Sequence, residues 1–265
     1  MTIRAMLLVA LAATSFIGPL RFAPQAYADL SEAQAMIDAG QYASAITLST
    51  AQDTVSGYTL AAEALNTQVM LELVPNVNAS AKEAKRLAKT ALDLEPENRE
   101  ALIQFAIALG FETRSSSLMK AYFGKLPQKS KAAIDLAYAA APSDARTSAL
   151  LGAWHLGVTG KVEPERAFEM FGAREVDGIS GYDQAVALQP QDIVIMGNYA
   201  VALLAIDAVK YRAKLDGLFA RIELASPRNA VEREVKRRMI ALMPLLDNPQ
   251  ALELAVKAQL NDPEP

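Results

Sequence analysis

The sequence predicts an all-α chain, an α-solenoid in which helix pairs stack one after another. Three observations predict it. Nearly every segment from Asp29 onward places apolar or small residues at helical spacing, and no alternating strand pattern interrupts them. The helical runs end at Pro, Gly or short polar clusters. One signature also returns along the chain: a small-residue helix, a Pro, then a short polar step into a new apolar helix. Composition agrees, since 52% of the 265 residues are hydrophobic and only 6% aromatic, with Ala dominant. That balance suits helices packed through small side chains better than a β-sandwich, which needs more Val, Thr and aromatic residues.

The first 28 residues read as a signal peptide. Arg4 supplies a positive start, Ala5 to Ile17 is an uncharged and mostly apolar run, and Gly18-Pro19 breaks it. Ala26-Tyr27-Ala28 supplies the small residues of a cleavage site before Asp29. The apolar run is shorter than the roughly 20 residues a membrane span needs, so export with cleavage after Ala28 is expected, an uncleaved anchor being the alternative. Residues 29–265 then form one domain in the periplasm or outside the cell. The whole chain carries a net charge of −4 at a pI near 5.2, which argues against a nucleic-acid binder. It has no cysteine, so disulfides, thiolate chemistry and a lipid anchor on an N-terminal Cys are excluded.

Taken in order, Ala33 to Ser49 reads as two short helices separated by Ala39-Gly40-Gln41-Tyr42. The signature is clearest from Ala84 to Pro96, where Ala84, Ala88 and Ala91 share a face and Pro96-Glu97-Asn98 stops the helix before Ala101 to Gly110. It returns at Ile134 to Pro142-Ser143-Asp144, followed by the helix holding Leu151-Gly152. It returns again at Tyr182 to Pro190-Gln191-Asp192, followed by Tyr199-Ala200, and in worn form at Pro227-Arg228-Asn229. The remainder, Ala230 to Leu260, reads as C-terminal capping helices, broken at Pro244 and at the Asp247-Asn248-Pro249 turn.

These residues resemble the tetratricopeptide repeat (TPR) family. In that family two antiparallel helices cross at a small residue, a place filled here by Ala33, Ala106, Gly152 and Ala200. A second small residue late in the second helix corresponds to Ala91, Ala137 and Ala185, and a Pro closes each repeat at Pro96, Pro142 and Pro190. The resemblance implies about four degenerate helix pairs over roughly residues 30–240. It also implies binding of a protein partner; the residues themselves offer no catalytic constellation, cofactor motif or metal-ligand set, so no catalysis, cofactor or metal is expected. In compartment and helical build the chain is also similar to the TRAP transporter T-component type of protein, which extends the expectation to an envelope or transport complex. The prolines lie 46 and 48 residues apart, however, against about 34 in the family. The surplus sits within each pair, around Phe111–Gln128 and Gly157–Gly178, and short extra helices or lids lying side by side are expected there.

Candidate chemistry is sparse. The single histidine, His155, follows the single tryptophan, Trp154, and no HExxH motif exists. A structural role is expected for His155, and a core or groove-wall role for Trp154. Gly157-Val158-Thr159-Gly160-Lys161 lacks the first Gly and the hydroxyl residue of a phosphate loop and reads as a helix-ending turn. Gly178-Ile179-Ser180-Gly181 is not a nucleophile elbow. The mixed-sign runs Lys82 to Lys89 and Glu232 to Arg238 read as solvated helix faces, and Ser80 or Asn78 as a helix cap.

Partner or ligand contacts are expected from Arg114, Tyr122, Phe123 and Lys125 of the first insertion, with Trp154, His155 and Phe171 at the second. In the family the first helix of each pair lines the concave groove. Alignment on the closing prolines puts Ile103, Ile107, Phe111, Ala149, Ala153, Gly197, Val201 and Leu204 there, with only Glu100 and Arg146 charged. That face does not fit a clamp for peptide carboxylates. Either the insertions or C-terminal helices fill the groove, or part stays open for a hydrophobic ligand, lipid or peptide helix.

Overall fold

The computed structural model describes residues 23–260. Most of the expected signal peptide therefore lies outside the described residues, and residues 23–28 form the first turns of a helix. Every regular element among the described residues is helical. In chain order they are α1 (Ala23–Ala39), α2 (Tyr42–Thr50), α3 (Val55–Met70), α4 (Val77–Leu94), α5 (Arg99–Arg114), α6 (Leu118–Phe123) and α7 (Leu126–Ala140). There follow α8 (Ala145–Thr159), α9 (Pro164–Phe171), α10 (Glu175–Leu188), α11 (Ile193–Asp207), α12 (Arg212–Leu224), α13 (Ala230–Leu242) and α14 (Pro249–Leu260). A 3-10 turn, Met243–Leu245, carries the Pro244 break.

Capping chemistry explains where these helices begin. The polar step after each closing Pro ends on the N-cap of the next helix: Asn98 for α5, Asp144 for α8, Asp192 for α11 and Asn229 for α13. In each case the side-chain oxygen accepts from a free backbone N–H of the first turn, at 2.8 to 3.0 Å. The Pro stops one helix and the residue two places on starts another. For α4 the cap is Asn76, which accepts from the Ala79 N–H at 2.9 Å, and neither Asn78 nor Ser80 fills that role. Asn78 instead donates to Ser115 and Ser116 at 3.1 and 3.2 Å, fastening the start of α4 to the end of α5.

Packing follows a regular plan. Each helix of the set α1, α3, α5, α8, α11 packs on its successor partner, α2, α4, α7, α10 and α12 respectively. The first members also touch one another in order, α1 on α3, α3 on α5, α5 on α8 and α8 on α11, and α13 continues the row. The row then closes on itself, because α13 packs against α1. At this seam a Cβ on Gly40 would sit 3.2 Å from the Ala230 Cβ, and Arg238 of α13 donates to the Leu71 carbonyl at 2.7 Å. One apolar cluster accordingly joins Ile37, Tyr42 and Leu71 near the start of the chain to Met196, Leu203, Val235 and Met239 near its end.

Small residues set the helix separations. Ala33, Ala106, Ala200, Ala91, Ala137 and Ala185 are all fully buried at these crossings. The tightest crossing is α8 on α10, where Gly152, Gly178 and Gly181 interleave: a Cβ on Gly181 would lie 2.8 Å from the Gly152 nitrogen and 2.9 Å from the Ser148 carbonyl. The Gly178–Gly181 stretch is thus a packing surface, which accounts for its glycines without any nucleophile.

The run from Glu232 to Arg238 departs from the solvated face read in the sequence. Glu232 is buried and accepts hydrogen bonds from the Arg228 backbone N–H and guanidinium, and Arg238 reaches across the seam. Charge alternation alone cannot show this, because the partners lie before the helix and at Leu71, distant in sequence.

Candidate functional site

The first-of-pair helices frame a recess of about 530 Å³ near their N-terminal ends. Leu30, Ser31 and Gln34 come from α1, Ser56, Thr59, Leu60 and Glu63 from α3, Asn98 and Glu100 from the start of α5, and Arg146 from α8. Its walls mix hydroxyls and amides with two leucines, and its charges are arranged unevenly.

Arg146 is committed on every side. Its guanidinium donates to both oxygens of Glu100 at 2.8 and 2.7 Å and to Asp144 at 3.1 and 2.7 Å. Burial opposes the Arg146 charge, but the hydrogen bonds from it to Asp144 and Glu100 outweigh this and hold it protonated. Gln104 extends the network by donating to Glu100 at 2.8 Å, and Asn66 donates to the Gln104 side chain at 3.0 Å. Glu63 stands apart. It forms no hydrogen bond or ion pair among the described residues, and burial pushes its carboxyl up to about 7, helped by repulsion from Glu100 and Asp38 and opposed by Arg146. One guanidinium thus faces three carboxylates, Glu63, Glu100 and Asp144, and the recess has room for a further cation.

The expected inner-face residues fall into two groups. Arg146 and Glu100 line the recess. The apolar ones are spent on packing: Ile103 is buried with Trp154 and Leu126, Ile107 packs on that same cluster, and Ala149, Ala153 and Val201 pack on the cluster that α13 completes. On α11 the C-terminal helices cover this face, with Val235 and Met239 of α13 against Gly197, whereas Ile103 and Ile107 are covered by the cluster that the insertions join. Glu63 was not legible because alignment on the closing prolines starts at Pro96; α3 follows a Thr54 cap, with no Pro signature before it. The one usable signal was a lone acid among the small residues of Ala61-Ala62-Glu63-Ala64.

The insertions contribute the short helices α6 and α9, and Ala121 of the first and Phe171 of the second pack on one shared cluster. Trp154 is buried there and its indole N–H donates to the Pro127 carbonyl at 2.9 Å. Half-buried His155 accepts from the Arg174 N–H at 3.2 Å, and desolvation lowers its pKa, with Asp177 opposing. Arg114 stacks over Phe111 at 5.1 Å. Tyr122, Phe123 and Lys125 are exposed and do not line the recess. Phe123→Ala and Lys125→Ala should each change unfolding free energy by less than about 0.5 kcal/mol, as urea titration will check.

A scan against protein-family models and a search of curated proteins found no match to this chain. Among the described residues no group of His, Asp and Glu has the arrangement of a metal site. No described helix is long and apolar enough to cross a membrane.

Proposed function

We propose that this chain is an exported, TPR-like helical-repeat module that binds a protein partner, and that the partner presents a Lys or Arg side chain to the Glu63 recess. The α-helix pairing, the buried small residues at the crossings and the Pro-to-cap punctuation support the TPR-like reading. The observation that carries the binding mode is the isolated Glu63 carboxylate in a recess that already holds more acid than base. A cation entering there gains a charge-assisted hydrogen bond and relieves the repulsion between Glu63 and Glu100. This inverts the familiar clamp of Lys and Arg for a peptide carboxylate. Service in an envelope or transport complex fits the expected leader and the absence of any catalytic constellation in the sequence.

A carrier for a hydrophobic ligand or lipid is the second reading. The packing of Ala153, Val201 and Ile103 between helices leaves it less surface to use. A photo-crosslinking residue at Gln34, on the recess wall, should capture one stoichiometric partner in cells, and Glu63→Lys should abolish that adduct without unfolding the protein. Adduct formation unaffected by Glu63→Lys would remove the recess from the binding surface. A lipid-sized mass retained in native mass spectra would instead favour the carrier.

A further inference from the structure

We propose that α6 and the turn after it form a docking tip for an anionic lipid surface. The stretch between Glu112 and Asp135 contains Arg114, Lys120, Lys125, Lys129 and Lys131 and no acidic residue, in a chain whose net charge is −4. Lys131 pairs with Asp135, but Lys120, Lys125 and Lys129 are exposed and take part in no ion pair among the described residues. Beside them stand three large apolar side chains, Met119, Tyr122 and Phe123, exposed to 70%, 59% and 73%. Their i, i+3, i+4 spacing puts them on one face of α6, and the Tyr122 and Phe123 rings meet edge to face with centroids 5.5 Å apart.

The tip is built on a firm base. Ala121 faces inward onto the cluster of Leu126 and Trp154, Ser117 caps α6 by accepting from the Lys120 N–H, and the left-handed turn at Lys125 (φ 51°) leads into α7. In the first turn of α7 the Pro127 carbonyl accepts from the Trp154 indole N–H. The apolar face is therefore presented outward by a helix that is capped at Ser117 and packed inward through Ala121.

Charge complementarity selects the occupant. Aromatic and Met side chains that project this far need no matching pocket when they enter the boundary between headgroups and acyl chains, and neighbouring lysines reach phosphate oxygens from the same position. Each lysine near an anionic surface contributes roughly fivefold in affinity. The surface is distinct from the Glu63 recess and serves to place the module on a membrane face.

The absence of cysteine in the chain allows a direct test. Met119→Cys in the full chain, labelled with a polarity-sensitive fluorophore, reports the environment of α6 itself and not that of the apolar N-terminal run. On vesicles of phosphatidylglycerol and phosphatidylcholine in equal parts the label should shift to the blue, and on pure phosphatidylcholine it should not. Adding Lys120→Glu and Lys125→Glu should weaken the lipid dependence roughly tenfold or more, as should salt near 1 M, while circular dichroism stays unchanged. A label that stays water-like on saturating anionic vesicles overturns the proposal, even where the protein sediments with them. So does a label that responds to polyglutamate and not to vesicles, which would assign the tip to an acidic protein.

Discussion

Gly181→Ala should destabilise the protein by about 3 kcal/mol, because the added methyl meets only backbone. Its Cβ would lie 2.8 Å from the Gly152 nitrogen, 2.9 Å from the Ser148 carbonyl and 3.1 Å from the Gly152 Cα. No rotamer can relieve such contacts; α10 must move away from α8. That movement would also disturb Tyr182, buried beside Gly152 and stacked on Tyr199 with centroids 4.6 Å apart, so the cost spreads into the central cluster. Gly217→Ala provides the opposite result. Gly217 is exposed within α12, and a Cβ there would meet nothing within 4 Å. Helix propensity and reduced freedom of the unfolded chain should then stabilise the protein by about 0.5–1 kcal/mol. Urea midpoints of the two variants at unchanged slope will separate packing from propensity.

Glu63→Gln should raise stability at pH 8 by about 2 kcal/mol and remove a distinct slope from the pH profile. The Glu63 carboxyl lies at about 7 in the folded chain, against 4.5 for an unperturbed group, with burial the first cause and Glu100 the second. Between those values the folded protein keeps a proton that the unfolded chain has released. Stability contributed by this group is therefore full below pH 4.5 and falls as pH rises to about 7, with the penalty in place above that. The mouth of the recess admits water, which holds the expected effect to about 2 kcal/mol rather than the full shift. Thermal melts of wild type and variant across this range will show it, the two curves converging in acid and separating in base. The same measurement bears on the proposed partner. A bound cation restores the Glu63 carboxylate, so partner binding should release a proton near pH 6 and should strengthen as pH rises.

The two variants test different parts of the reading. Gly152 was visible in the sequence as the small residue of a helix crossing, and the structure adds Gly178 and Gly181 as its counterparts. Glu63 was hidden, since its helix carries no Pro landmark and its acid has no partner nearby in sequence. The tip around α6 was half legible: Tyr122, Phe123 and Lys125 stood out as aromatic and basic residues in a surplus segment. Only burial shows that Tyr122 and Phe123 face water while Trp154 faces the core.

What the sequence determined by itself is local. Helical periodicity, the Pro that ends one helix and the Asn or Asp two residues later that caps the next are written within a few residues of where they act. That is why the helices around Pro96, Pro142, Pro190 and Pro227 lie where the pattern puts them. Small residues at the crossings are equally local, because a helix can approach closely only where its own side chains are short. What only the tertiary structure decided is which surface covers which. The periodic pattern marks Ala153 and Val201 as apolar and inward, yet it carries no information about the helix that meets them. The closure of α13 on α1, the burial of Glu232 and the isolation of Glu63 depend on contacts between residues far apart in the chain. Those contacts are set by how successive pairs rotate in space, and they bury the apolar inner-face residues while leaving Glu63 and Glu100 on an acidic recess.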